Sequence, residues 1–192
     1  KRTTGADGSV TITEEWRIWF PNVKPNGVQA FNTSDGKLAW ESERFKKGIT
    51  NMIEAEGHVI VSSGKALYKM DVSNGKELYE VPVAKGGVGN AEGILSFKDM
   101  VVVIGEKGVS TFKQNNGDLV ASGKYKTSTP EDRFDNILVM KTAGADIAAF
   151  DLNTCKFLEF KARKDASTTL TTDGVYVYVY ENKTVSKVKT GK

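Results

Sequence analysis

The chain has only one cysteine and one histidine among its 192 residues. A single cysteine, Cys155, cannot form an intrachain disulfide, which is compatible with the cytosol or with an oxidising compartment where the fold needs no covalent link. A single histidine, His58, excludes a multi-histidine metal site, and the chain lacks the partners for a histidine-based catalytic triad. His58 follows a predicted turn and opens a predicted strand, so a surface position is expected.

Long apolar runs and strong charge are also absent. No stretch approaches 18 apolar residues, so no membrane span is predicted. The net charge is only +3 with scattered lysines, which gives no reason to expect a nucleic-acid partner. The first five residues lack the apolar core of a signal peptide and an initiator methionine. We therefore expect the chain to be processed or cut from something longer.

One signature recurs along the chain: a strand, a tight polar turn, and a second strand. It occupies residues 31–37, 70–76, 112–118 and 150–156, with a shortened fifth copy at 188–192. The turn positions 36, 75, 117, 155 and 191 are 39, 42, 38 and 36 residues apart. They carry glycine except at Cys155, where we expect either a strained positive φ or another type of turn. A period near 40 built from strands is typical of a propeller-like repeat array.

A second hairpin precedes each turn signature, since polar pairs such as Glu56-Gly57 lead into β-branched or aromatic runs. Each unit therefore predicts four short antiparallel strands, which make one blade. We predict a single all-β domain over 1–192, a β-propeller of about five four-stranded antiparallel blades. The repeats lie roughly at 10–45, 46–85, 86–124, 125–163 and 164–192. The Gly-rich segment 86–90 is expected to connect two blades, because it lacks the other residues of a phosphate loop.

The fifth unit stops before its outermost strand. Either the chain is part of a larger propeller of seven or eight blades, or residues 1–9 supply the missing strand and close a five-bladed ring. We favour the larger propeller, because residues 1–9 are Gly-rich and have little strand character.

The repeats resemble the pyrroloquinoline-quinone (PQQ)-like β-propeller family, whose signature is roughly Ala-x-Asp-x-x-Thr-Gly-Lys-x-x-Trp. Residues 29–40 match closely and end at Trp40, and the second copy has Tyr79 in place of the tryptophan. The third copy departs most, with Lys113 for the aspartate and Ala121 for the aromatic residue. The resemblance implies that Trp40 and Tyr79 fill the gaps between neighbouring blades as structural residues.

The same resemblance also implies which functions the chain could have. The family includes quinoprotein dehydrogenases and non-catalytic scaffolds similar to the outer-membrane assembly lipoprotein BamB. The enzymes often use a vicinal cysteine pair, which one cysteine cannot supply, and the aspartates here fall mostly in turns. We therefore expect a non-enzymatic scaffold for protein–protein interaction, periplasmic, at the cell surface or secreted, with no cofactor, metal or catalytic residue. A PQQ-dependent dehydrogenase fragment and a carbohydrate- or cell-wall-binding module remain the alternatives.

Two groups of aromatic residues are candidates for an interaction surface. Trp16 and Trp19 are the aromatic residues that a carbohydrate-binding module would use. Three tyrosines alternate with valine near the end of the chain and so share one face of a strand: Tyr176, Tyr178 and Tyr180. They either pack against a following blade, which we favour, or form an exposed aromatic strip suited to a partner. Cys155 is expected to be a small turn residue rather than a reactive thiol.

Overall fold

A computed structural model describes residues 2–4, 10–12, 26–125, 127–142, 147–158, 167–170 and 175–189. Trp16 and Trp19 lie outside the described residues, as does position 191 of the fifth turn signature. No helix within these ranges is long and apolar enough to cross a membrane.

The described residues are almost entirely β-strand. The strands are β1 (Arg2–Thr4), β2 (Val10–Ile12), β3 (Gln29–Phe31), β4 (Leu38–Glu41), β5 (Ile49–Ala55), β6 (His58–Ser63), β7 (Ala66–Asp71), β8 (Glu77–Pro82), β9 (Ala91–Phe97), β10 (Met100–Gly105), β11 (Gly108–Lys113), β12 (Leu119–Lys124), β13 (Thr127–Phe134), β14 (Ile137–Thr142), β15 (Ile147–Asp151), β16 (Lys156–Leu158), β17 (Ser167–Leu170), β18 (Tyr176–Glu181) and β19 (Thr184–Lys189). A single 3₁₀ turn, Val83–Gly86, begins the Gly-rich connection between β8 and β9.

Among the described residues, the strands pair only with their sequence neighbours, and every pair is antiparallel. Sheet 1 is β3–β4, sheet 2 is β5–β8, sheet 3 is β9–β12, sheet 4 is β13–β16 and sheet 5 is β17–β19. Sheets 2, 3 and 4 are four-stranded meanders, and β1 pairs with β2 in a separate hairpin. The predicted all-β fold of antiparallel four-stranded units is confirmed.

The core lies between consecutive sheets, and the second strands of sheets 2, 3 and 4 each contribute to two of these cores. Successive side chains of a strand point to opposite faces, so alternate residues enter different cores. Between sheets 2 and 3, Ile60 packs with Val101 and Val103. Between sheets 3 and 4, Val102 and Ile104 pack with Leu138 and Met140. Between sheets 4 and 5, Ile137 and Val139 pack with Val177 and Val179. The sheets therefore stack one after another along the chain.

The repeated turns have one backbone geometry. Gly36, Gly75 and Gly117 have φ of 68°, 71° and 73°, and Cys155 follows them with φ of 55°. In the first three copies the N–H of the glycine donates to the carbonyl four residues earlier, at 2.8 Å. Cys155 thus takes the strained positive φ, the first of the two conformations expected for it.

The last sheet has three strands where sheets 2, 3 and 4 have four. Among the described residues β19 pairs with β18 alone, and β1 pairs with β2. The described strands therefore do not show the ring closure in which residues 1–9 add a strand beside β19. The larger propeller stays a prediction.

Candidate interaction surfaces

Trp40 contacts the turn of the following sheet. Its Nε1 donates a hydrogen bond of 2.7 Å to the carbonyl oxygen of Val72, in the turn after β7. The indole also lies so close to Gly75 that a Cβ there would overlap its Cε3 atom. These contacts join sheet 1 to sheet 2, and the structural role of Trp40 stays a prediction.

Tyr79 has the equivalent position in sheet 2. Its ring packs against the apolar core shared with sheet 3, and burial raises its pKa to about 12. A Cβ placed on Gly117, in the turn after β11, would lie 3.3 Å from the Tyr79 ring and 2.5 Å from Val81. An aromatic side chain over a turn glycine is therefore the arrangement at both of these interfaces.

At the interface between sheets 3 and 4, the residue in the aromatic position is small and the turn residue facing it carries a side chain. Ala121 stands where Trp40 and Tyr79 stand in their sheets, and the facing turn residue is Cys155 instead of glycine. Both belong to the core between sheets 3 and 4, where the Cys155 thiol is buried and lies 3.3 Å from the Thr111 hydroxyl. Cys155 lies in this turn, as expected, and its side chain is buried in the same core that Ala121 packs against.

A cleft of about 590 Å³ opens between the segment after β4 and the outer strands of sheet 2. It is lined by Glu41, Glu43, Arg44, Phe45, Lys46, Tyr68, Met70, Asn74, Gly75, Lys76, Glu77 and Glu80. Phe45 and Tyr68 are buried beneath it, with ring centroids 4.5 Å apart. The cleft therefore combines an aromatic floor with a charged rim.

Four carboxylates and three cationic side chains line the cleft: Glu41, Glu43, Glu77 and Glu80 with Arg44, Lys46 and Lys76. Tyr68 donates a hydrogen bond of 3.1 Å to Glu80, and burial, followed by this contact, raises the pKa of Tyr68. Burial, followed by the charges of Glu80 and Glu43, raises the pKa of Glu77. Burial is the larger cause of both shifts and disfavours any charge, whereas the neighbouring carboxylates make a smaller contribution that favours a cation.

None of these cleft residues was predicted as a site. Glu77 and Glu80 are three apart on β8, so regular alternation places them on opposite faces of the sheet. A β-bulge changes this, because Lys69 pairs with Tyr79 while Met70 pairs with Glu77. The extra residue turns both carboxylates toward the cleft, and the same register shift follows the turns of sheets 1 and 3, so it is a feature of the repeat.

A second, more open groove of about 690 Å³ lies on the other side of Tyr68. Ile49, Ala66 and Pro82 contribute its apolar surface, and Lys47 and Lys65 lie at its edge. Tyr68 and Glu80 line both the groove and the cleft. The two concavities thus form one continuous feature of sheet 2.

The tyrosines of β18 face away from sheet 4. Val177 and Val179 are buried against that sheet, whereas Tyr178 and Tyr180 are 38% and 52% exposed and Tyr176 is half-buried. The Lys187 ammonium lies 3.9 Å from the Tyr176 ring centroid. Packing against a following blade, the favoured expectation, is not seen among the described residues. The strip is instead an exposed aromatic face.

The remaining polar candidates have structural explanations. Burial alone would raise the pKa of Asp151, but hydrogen bonds from Asn136, the Asn153 N–H and Thr154 outweigh it and lower the pKa. His58 is half-buried at the start of β6 rather than exposed. Within the ranges that the structure describes, no three His, Cys, Asp or Glu side chains are grouped to hold a metal ion.

Comparisons with known proteins give the fold. No protein-family model matches the chain, and no curated protein matches it. Its structure is similar to BamB from Moraxella catarrhalis, with a TM-score of 0.60 and 16% identity over 86% of this chain and 53% of that one. The computationally designed Ika4 protein gives 0.61 and 16% over 81% and 99%. The C-terminal WD40 domain of Sif2 gives 0.58 and 10% over 84% and 51%.

The chain therefore spans about half the length of BamB and of the Sif2 domain. BamB and WD40 domains are β-propellers, and the stacked antiparallel sheets described above match theirs. The chain has the β-propeller fold.

Proposed function

We propose that the protein is a non-catalytic scaffold of PQQ-like repeats that mediates protein–protein interaction outside the cytoplasm. The likeness to BamB and a WD40 domain supports an interaction scaffold. The repeat signature ending at Trp40 and Tyr79 supports the PQQ-like type. The extracytoplasmic location rests on the same resemblance.

The observation that carries this proposal is the cleft beside sheet 2. Protein-binding surfaces concentrate their binding energy in a few buried anchors surrounded by a polar rim. The cleft has this organisation, because the Phe45 and Tyr68 rings, in tilted contact, form its floor and charged side chains surround them. Its volume of about 590 Å³ is enough for one or two side chains of a partner.

The charge of the cleft indicates the chemistry of that partner. Glu77 and Glu80 lie beside the aromatic floor, and the pKa of Glu77 is raised by burial and by its carboxylate neighbours. A lysine or arginine side chain would relieve this repulsion, and its aliphatic part would pack on the aromatic rings. The cleft is therefore suited to a basic segment of a partner protein.

The test is cross-linking and capture from the envelope fraction of the source organism, comparing the parent with Glu77→Lys. We expect Glu77→Lys to lose at least about tenfold of the captured partner, as expected for a central interface charge. Glu92→Lys is the matched control, because Glu92 is also an exposed strand glutamate but lies outside the cleft. This control should capture the partner as the parent does.

Two outcomes would contradict the proposal. Equal capture by Glu77→Lys and the parent would remove the cleft as the binding site. Calorimetric heat on adding PQQ and Ca²⁺, together with dehydrogenase activity, would favour the enzyme alternative instead.

A further inference from the structure

We propose that the cleft and the groove of sheet 2 together bind one extended segment of a partner protein. A basic residue of this segment lies at the cleft end, an apolar residue lies over Tyr68, and an acidic residue lies at the groove end. This binding mode rests on the proposed function, of which it specifies the partner's sequence, and it assigns a role to the groove.

The two concavities form a single trough along the outermost strand of sheet 2. β8 lines the trough from Glu77 in the cleft to Pro82 in the groove. The segment 43–50 follows the same course, since its first residues line the cleft and its last residues line the groove. Tyr68 and Glu80 line both, so a bound chain can pass from one end to the other over the tyrosine ring.

The groove end of the trough is held by contacts of the turn between β6 and β7. The Ser63 hydroxyl donates a hydrogen bond of 2.7 Å to the Lys47 carbonyl oxygen. The Lys47 side chain also lies across the turn, because a Cβ placed on Gly64 would be 2.9 Å from its Cγ. The Val83 N–H donates to the Lys65 carbonyl oxygen at 2.9 Å, which ties the turn to the end of β8. A rim that is already ordered loses less conformational freedom when a partner binds.

The balance of charge changes along the trough. Four carboxylates and three cationic side chains line the cleft end. The groove end has three cationic side chains, Lys46, Lys47 and Lys65, with Glu80 as the one carboxylate among the described residues that line it. Opposite charges on a partner are favoured and like charges are disfavoured across an interface. The trough therefore favours a basic residue in the cleft and an acidic residue in the groove, which fixes the orientation of the bound segment.

The surface between the two charged ends is apolar. Ile49, Ala66 and Pro82 contribute apolar surface to the groove, and the Tyr68 ring is buried beneath both concavities. Binding energy at protein interfaces is concentrated in buried apolar anchors, whereas charges at the rim set specificity. We therefore expect an aliphatic or aromatic residue of the partner in the middle of the segment.

The length of β8 sets the spacing of these residues. Glu77 and Pro82 are five residues apart, which corresponds to about 17 Å of strand. A partner segment in extended conformation covers this distance with about five residues. Side chains that face the same way in an extended chain are an even number of residues apart, so the basic and acidic residues should be separated by about four or six positions.

The test is selection on the immobilised chain from a phage-displayed library of random peptides of about twelve residues, which are long enough to span the trough. We expect enriched peptides to carry Lys or Arg, then an apolar residue, then Asp or Glu at this spacing, in either chain direction. By fluorescence anisotropy, a synthetic enriched peptide should bind Lys65→Glu at least about tenfold more weakly than the parent. Replacing the acidic residue of the peptide by lysine should restore binding to Lys65→Glu and weaken binding to the parent. A purely structural effect of Lys65→Glu would not produce this reciprocal change.

Lys107→Glu is the matched control. Lys107 is exposed in the equivalent turn of sheet 3, and its carbonyl oxygen accepts from the Tyr125 N–H as that of Lys65 accepts from Val83. It does not line the trough, so Lys107→Glu should bind the peptide as the parent does.

Three outcomes would overturn the inference: no enriched peptide, enriched peptides without an acidic residue at this spacing, or binding that Lys65→Glu leaves unchanged. In each case partner capture with Glu77→Lys still decides the proposed function by itself. Binding of the enriched peptides that Glu77→Lys leaves unchanged would overturn both proposals.

Discussion

At the scale of single residues, the interfaces between sheets are matched in volume across the gap. A large side chain on one sheet faces a glycine on the next, as with Trp40 and Gly75. Where the first residue is reduced to Ala121, the second is enlarged to Cys155. Cys155 retains the positive φ of its sister glycines, so its side chain is held there at the expense of backbone strain.

This exchange predicts a coupled pair of substitutions. Cys155→Gly alone relieves strain of about 1 kcal/mol but removes a buried side chain of similar value, so we expect little net change in stability. Ala121→Tyr alone overfills the core and should cost about 1–3 kcal/mol. Together they restore the arrangement of Tyr79 and Gly117, and the cost of the tyrosine should fall by at least about 1 kcal/mol. Urea unfolding of all four proteins measures this coupling, and additivity within about 0.5 kcal/mol would contradict it.

At the scale of elements, the strands were largely predictable from the sequence and their irregularities were not. The hairpins follow from β-branched runs and from turn pairs such as Asn74-Gly75, whose local chemistry sets the backbone. The expectation that Trp40 and Tyr79 lie between neighbouring sheets came from the family resemblance. The bulge in β8 recurs at the equivalent place in sheets 1 and 3, but strict alternation along β8 separates Glu77 from Glu80, so their shared cleft was not predicted.

The turns give a test of the contact between sheets 1 and 2. Gly75→Ala and Gly36→Ala introduce the same backbone strain, about 1 kcal/mol, because φ is 71° and 68°. Only at Gly75 does the new methyl group meet Trp40, and the overlap should add about 1–3 kcal/mol. The difference in urea midpoint between the two variants measures the contact.

Trp40→Ala is the control for this comparison. By itself it should cost about 3–5 kcal/mol, because it removes a large side chain from the interface. In its presence Gly75→Ala should cost no more than Gly36→Ala. A Trp40→Ala protein as stable as the parent would show that the indole is not part of a sheet interface.

At the scale of the whole molecule, each sheet is stabilised by its neighbours in the chain. The cores connect sheet 2 to 3, 3 to 4 and 4 to 5, so an inner sheet has two stabilising interfaces. An array of this kind behaves approximately as a sum of unit and nearest-neighbour terms. The end sheets should therefore open most readily.

Hydrogen exchange on the monomer measures this order directly. We expect the slowest amides in β10, which is buried on both faces, and faster exchange by at least about tenfold in β18 and β19. Uniform protection from sheet 2 to sheet 5 would contradict the nearest-neighbour description.

The exchange between Ala121 and Cys155 also bears on how such a chain diverges. Ala121 and Cys155 lie in different copies of the repeat, so each copy, taken by itself, lacks one residue of the signature. Across the interface the two departures compensate: the side chain at Ala121 is smaller than the aromatic residue of the first two copies, and the side chain at Cys155 is larger than the glycine of their turns. The two departures from the repeat signature therefore straddle a repeat boundary. The unit to compare among descendants is the gap between two blades, rather than the blade.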